Sequence, residues 1–447
     1  MLSKRLILFI LIFNLASYNL WRDWQGKHDP FSGDVAEYYS YNIAAFIDKD
    51  LSFSNSHYEY LKPTPKGYKI PKMSIGLAMA YTPFFLLAHA ITIITGGIAN
   101  GTSEYYAYIL YYAAMLMVVL GLWYLRKVLL NWFSDKATCY TLAILFFGTN
   151  LLYYTLGSNL MAHSFVFSFL CFILYGTHKW HETSKNKYLY CLSFFIGWCV
   201  LIRPTSIFMI FIPLLYGVGN VVELKLRFRF LLENKIPLFI GTIFFLLPWI
   251  PQVLFWKTYA DSIIYYSYGN EGFDFISPQI KNVLFSFRKG WLLYTPLMSL
   301  ALFGFYNLFK TFPKLFFASA IYFLLTFYVL ASWWFWSWGG SFSNRALIDT
   351  YPVLAFPIAA FITWFASKKL WKPGKFVLII FMVFSMFQTY QYTAIVIHWD
   401  GMTKAAYKYG FLRLKFNPEE RAHFNSLLEN HDDNPNTWRE DRKKKDQ

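Results

Sequence analysis

Apolar runs long enough to cross a bilayer follow one another along almost the whole chain, and this succession constrains the fold more than any other feature. A transmembrane helix needs roughly 20 apolar residues. Such runs lie near 6–20, 73–97, 104–125, 137–156, 163–178, 188–218, 236–256, 289–310, 312–332, 349–366 and 375–397, and no soluble domain interrupts them. Of the 447 residues, 56% are apolar or aromatic and only 15% are charged, against about a quarter charged in soluble domains. Such a chain has too little polar surface to face water on all sides. It is expected to be an all-α polytopic membrane protein. The net charge of +16 would suggest nucleic acid in a soluble protein; here Lys and Arg at the cytoplasmic ends of helices explain it, and no nucleic-acid partner is expected. Cys139, Cys171, Cys191 and Cys199 all sit in apolar runs without a CxxC pair, and read as small buried hydrophobes rather than a disulfide or metal framework.

Positive charge orients the spans. Lys4 and Arg5 precede the first run, and no small-x-small cleavage site follows it, only Trp21-Arg22-Asp23-Trp24. It reads as an uncleaved anchor with a cytoplasmic N-terminus. Basic loops follow at 126–136, 179–187, 225–235 and 368–375. Simple alternation does not place all four inside. It does so if 73–97 and 188–218 each cross an even number of times. The second has about 46 Å of helix for a core of about 30 Å, and is broken at Arg203-Pro204. Pro83 offers a break in the first. That reading gives about 13 passes; eleven plain spans with one misplaced basic loop is the alternative. Three polar regions then share the outer side: 22–72, 257–288 and the Trp-rich turn 333–348. The mixed-charge tail 398–447 joins them, with disorder expected from about Asn430. Lys-, Asn- and Phe-rich composition points to a bacterium, hence to its inner membrane.

The first outer loop is rich in aromatics. Apolar or aromatic positions 35, 38, 39, 43 and 46 recur at helical spacing over Val35–Ile47, as in an amphipathic helix lying in the interface. Asp34 stands where this helix begins. It reads as an N-cap with Glu37 completing a capping box, or as a general base kept ionised by the helix N-terminus; the two roles are compatible.

An anchor followed by a long outer loop with Gly33-Asp34-x-x-x-Tyr38-Tyr39 resembles the GT-C membrane glycosyltransferases, in the family 39-like branch of protein O-mannosyltransferases and lipid A aminoarabinose transferases. Two further stretches carry the resemblance: 269–273 running on to 284–296, and Trp333-Trp334-Phe335-Trp336-Ser337-Trp338-Gly339-Gly340-Ser341-Phe342-Ser343-Asn344-Arg345. It covers residues 5 to about 397 in topology. It implies a GT-C-like bundle of about 11–13 transmembrane helices with interfacial helices in the first outer loop. It also implies sugar transfer from a polyprenyl-phosphate donor to a lipid, glycan or protein acceptor, with Asp34 as the catalytic carboxylate and inversion at the anomeric carbon. Many relatives carry a second Asp after the fourth span. Here Asn159 or His163 stands in that neighbourhood, and neither is a carboxylate, which speaks against the divalent metal that the resemblance would allow. No cofactor is otherwise called for.

A lipid-linked sugar phosphate needs an apolar groove and cations near the outer interface. Arg288 and Lys289 sit where a polar loop enters an apolar run, either binding phosphate or snorkelling. Arg345 follows a Gly-Gly turn and precedes Asp349, offering a phosphate contact or an ion pair with Asp349. Arg203, alone in an apolar stretch, costs roughly 2.5–3.5 kcal/mol on insertion scales unless an anionic ligand or an exposed kink compensates. Glu37, Tyr38, His163, Glu271, Trp336 and Trp338 are the expected sugar or acceptor contacts, with Trp as interfacial anchor the alternative. Lys62, Lys66, Lys69 and Lys72 read as a lipid-attracting or simply solvated cluster. P-loop, G-x-S-x-G, H-E-x-x-H and G-x-G-x-x-G motifs are absent. The rivals are a polyprenyl-linked glycan polymerase or ligase, a lipid-linked sugar transporter, and a non-catalytic scaffold; a transporter would place carboxylates inside its spans, where none is found.

Overall fold

The computed structural model describes residues 1–25, 30–55, 58 and 60–429. The expected disorder from Asn430 lies outside them. Helices dominate, and one antiparallel pair of two-residue strands, β1 (Lys62–Pro63) and β2 (Lys69–Ile70), sits in the first polar loop. In chain order the helices are α1 (Leu2–Gln25), α2 (Asp34–Ile43), α3 (Gly76–Ile94), α4 (Glu104–Leu129), α5 (Asp135–Phe147), α6 (Leu151–Leu156), α7 (Ala162–Thr183), α8 (Asn186–Ile202), α9 (Phe211–Leu215) and α10 (Val221–Glu233). Then come α11 (Lys235–Leu246), α12 (Ile250–Ala260), α13 (Ile280–Phe285), α14 (Trp291–Tyr294), α15 (Ser299–Thr311), α16 (Pro313–Ala331), α17 (Tyr351–Ala366), α18 (Trp371–Thr393), α19 (Lys404–Gly410) and α20 (Pro418–Ser426). Among the described residues, six helical stretches are long and apolar enough to cross a membrane: 76–94, 104–129, 235–260, 313–331, 345–366 and 371–393. The chain is an all-α integral membrane protein.

Contacts sort the helix ends into two layers. At one end, which we call the basic end, Asp135 accepts from the backbone N–H of Leu2 at 2.5 Å, and Arg126 reaches the Ser3 hydroxyl at 2.7 Å. Phe133 packs on Phe312, His181 lies 2.8 Å from the Pro213 carbonyl, Trp132 donates to the Tyr216 hydroxyl, and Lys136 sits over Trp371. Arg227 lies 2.6 Å from His181 as well, so all four basic loops share one layer. At the other end, Asp34 meets Arg345, and Arg203 meets His163 and Asp349.

This sorting resolves the two anomalous runs. The run 188–218 traverses the bundle twice. Helix α8 rises to the Asp34 end, the chain breaks at Arg203-Pro204, and 204–216 returns to Trp132 and His178. Arg203 is extended (φ −143°, ψ 107°), as the residue before proline must be when helix geometry would clash with the ring. The run 73–97 does not fold back on itself. It is one helix, uninterrupted by Pro83, and both its ends stay at the Asp34 end. Ser74 donates to the Leu201 carbonyl near its start, and Gly101, just beyond its end, accepts from Tyr39 at 2.5 Å.

Helix α17 runs through the centre, with every residue from Tyr351 to Ala360 buried. Lipid tails are as apolar as these side chains, so close packing rather than water exclusion holds such helices together. A Cβ on Gly304 would stand 2.1 Å from the Pro357 carbonyl oxygen, and one on Gly197 1.9 Å from that of Phe245; only glycine permits these crossings. Cys171 and Cys199 are buried as expected, whereas Cys191 is exposed on the outside of α8 and Cys139 is half-buried; all are free thiols. The tail from 394 to 429 is folded. Tyr407 of α19 packs against Phe287 and Tyr294, and α20, with a full capping box from Asn417 and Glu420, packs against α19.

Candidate functional site

A cavity of about 420 Å³ opens at the Asp34 end. One wall is α2. Its first turn does not form the capping box expected from Asp34 and Glu37. The cap is Gly33, at φ 59°, a backbone conformation that glycine adopts without penalty, and Asp34 is the first helical residue. Freed from capping, the Asp34 carboxylate accepts from Arg345 Nη2 at 2.7 Å, with its side chain 36% exposed to the cavity. Burial works to raise its pKa, but Arg345, aided by Lys72, outweighs this and holds it below the ordinary carboxylate value. Glu37 instead accepts from the backbone N–H of Lys72 at 3.0 Å. Burial and the neighbouring Asp34 charge push its carboxyl up to about 7, against Lys72. It is not among the residues lining the cavity; Tyr38 is, and burial keeps its phenol protonated.

The floor is built where two helices meet. His163, in the first turn of α7, sets Nδ1 2.9 Å from Asp349 Oδ1, while its Nε2 faces Arg203 Nη1 at 3.3 Å. A guanidinium only donates, so Nε2 accepts and the Nδ1 proton goes to Asp349: a neutral imidazole with a fixed tautomer. Arg203 Nε lies 3.0 Å from Asp349 Oδ2, and its guanidinium stacks 5.1 Å over Trp338. The ion pair of Arg345 with Asp349, the alternative to a phosphate contact, does not form; Arg345 pairs with Asp34 and Arg203 with Asp349. Asn159 is buried away from the cavity and donates to the Tyr111 carbonyl at 2.7 Å. No cluster of three or more potential metal ligands occurs among the described residues.

The opposite wall is aromatic. Trp333, Trp334, Phe335 and Trp338 line it, continued by Tyr266, Tyr268 and Phe273 from the second polar loop. Trp338 has φ 60°, a left-handed conformation uncommon for a bulky residue and found mainly where surrounding structure enforces it. Trp336 does not line the cavity. It packs partly buried against the core while its carbonyl accepts from Asn344. Glu271 closes the rim, 2.6 Å from Lys72 and 3.3 Å from Trp334 Nε1.

Arg288 and Lys289 are elsewhere. Arg288 lies behind Phe335 and pairs with Asp400 at 2.8 Å. Lys289 is 1% exposed and donates to the backbone carbonyls of Ser341 and Trp399. Both pin the tail to the Trp-rich turn, because burying an ammonium requires that its donors be met. Asp349, Lys72, Tyr268 and Asp400 are the participants that sequence reasoning left out of the site. Comparison with family models, with curated proteins and with solved structures returned no match.

Proposed function

We propose that this chain is a GT-C-type glycosyltransferase moving a sugar from a polyprenyl-phosphate donor to an acceptor hydroxyl at the outer face of a bacterial inner membrane. The observation that carries the reading is one cavity lined by an ionised carboxylate, two guanidinium groups and a wall of aromatic rings. The topology agrees with it. Counting α1, α4, α5 with α6, α7, α8, 204–215, α11 with α12, 291–311, α16, α17 and α18 gives eleven passes, with α3 resting at the Asp34 end. Under the positive-inside rule, a cytoplasmic position for every short basic loop, Lys310 and Lys314 included, goes with an outward-facing cavity, which supports the reading. No misplaced loop is left over.

In the proposed reaction the acceptor hydroxyl oxygen attacks the sugar C1 while Asp34 takes its proton. The bond between C1 and the phosphate oxygen breaks, and the electron pair leaves with the lipid phosphate. Arg345 and Arg203 receive the growing negative charge. One in-line displacement inverts the anomeric centre. Arg288 and Lys289 drop out of the phosphate site, and no metal is invoked. The test is purified, folded Asp34→Asn with a polyprenyl-phosphate-linked sugar and a cell-envelope extract as acceptor source. Loss of at least about a hundredfold in transfer is expected; full transfer would remove the assignment.

A further inference from the structure

A second pocket of about 330 Å³ adjoins the first. It lies between the strand pair of the first loop and residues 265–271 of the second, and shares Tyr266, Tyr268, Glu271 and Trp334 with the cavity that holds Asp34. We propose that it binds a neutral saccharide, the acceptor glycan whose terminal hydroxyl is presented to Asp34. The proposal rests on the transfer reading above.

The pocket is a built structure. The Glu271 N–H returns to the Tyr268 carbonyl at 3.1 Å, closing a tight turn whose Gly269 has φ 59°; glycine at this second position suits the turn. Tyr266 donates to the Glu271 carbonyl at 2.7 Å, Tyr265 to the Pro63 carbonyl at 2.9 Å, and Ser267 to the Lys72 carbonyl at 2.5 Å. The loop is thereby tied to the first loop at two points.

The lining chemistry selects the ligand. Sugar rings are amphipathic: their C–H faces lie on aromatic rings and their hydroxyls seek amide, carboxylate and phenol partners. Tyr266, 56% exposed, together with Tyr268 and Trp334, supplies the faces, and Asn270 stands exposed at the mouth. Of the charged residues here, Glu271 is neutralised by Lys72 at the boundary with the first cavity, and Lys62 is exposed on the strand pair, where water and salt screen it. An anionic ligand therefore gains more next door, at the arginines. An extended peptide would add to a strand edge through main-chain hydrogen bonds. Here the edge is unsuited: Pro63 has no N–H, and its carbonyl is taken by Tyr265.

The experiment uses the full chain in lipid nanodiscs and saturation-transfer NMR with maltotriose, mannotriose and chitotriose, and with a neutral Ser/Thr peptide as the competing class. At least one trisaccharide is expected to bind saturably. Tyr266→Ala should weaken it by about tenfold through loss of an aromatic face, and Asn270→Ala by a smaller factor. Arg345→Ala should leave it unchanged. Undecaprenyl phosphate, titrated into the same samples, should respond to Arg345→Ala and not to Asn270→Ala, since Asn270 lines only the second pocket. Both loop variants must melt like the parent protein, and either one suffices for the test. Silence from all three saccharides, indifference to both loop substitutions, or peptide binding in their place would overturn the subsite. Saccharide binding without any undecaprenyl phosphate binding would keep the subsite and remove the transfer reading.

Discussion

Two pairs of cations sit at the same end of this molecule in opposite circumstances. Arg345 and Arg203 line the cavity, each held by a carboxylate, Asp34 or Asp349. Arg288 and Lys289 lie behind the aromatic wall and hold the tail through Asp400 and two backbone carbonyls. By position alone all four are alike, basic residues beside an apolar run. The difference is made by what the chain does some hundred positions later, when 397–402 returns to cover one pair and not the other. A cation at a membrane border is a ligand site only if nothing in the protein has already consumed its donors.

Substitution separates the pairs. The largest effect is expected from Arg345→Ala, which removes the donor nearest Asp34. Transfer should fall by roughly 10²–10³, as when a single charge-stabilising donor is lost, measured as kcat with lipid-linked donor. Arg203→Ala should cost transfer less but stability more. It strips Asp349 of its cation and leaves a buried charge, a change of about 3–5 kcal/mol in such settings, read by thermal unfolding in detergent. Lys289→Ala, next in order, should lower stability by about 1–3 kcal/mol through unmet carbonyls while leaving the donor KM unchanged. A donor KM that rises with Lys289→Ala at unchanged stability would break the contrast.

The smallest effect concerns pH. Glu37 titrates near 7, above its ordinary 4.5, so between these values the folded protein holds a proton that the unfolded chain has released. Its contribution to stability is present at low pH and is lost as pH rises through 7. Glu37→Gln should flatten the stability profile across that window. A parent protein whose stability does not fall between pH 5 and 8 would contradict the environment described for α2.

Much of the fold was legible because apolar runs and basic loops follow from the bilayer's thickness and charge preference. A helix beginning near Val35, found as α2 and continued by a π turn over Ala44–Asp48, and the break at Arg203-Pro204 were readable for local reasons: spacing in one case, ring geometry in the other. Asp349 was invisible as a partner of Arg203 because nothing local joins positions 146 residues apart; only the meeting of α7, α8 and the 345–350 turn does so. The capping box failed because Lys72, distant in sequence, offers Glu37 a backbone N–H that competes with the one at the helix start. The tail read as polar, yet folds, since its few aromatics find Tyr409 against Phe416 and Phe416 against Phe424.

The clasp formed by Arg288, Lys289 and Asp400 also imposes a schedule. Ribosomes deliver Asp34 and Arg345 well before residue 400, so the turn bearing Arg345 waits without its fastening until α18 and the residues just after it have been laid down. Newly made protein should therefore acquire a competent pocket late, and shortening the chain ahead of Trp399 should loosen the pocket even though every residue that lines it is still present.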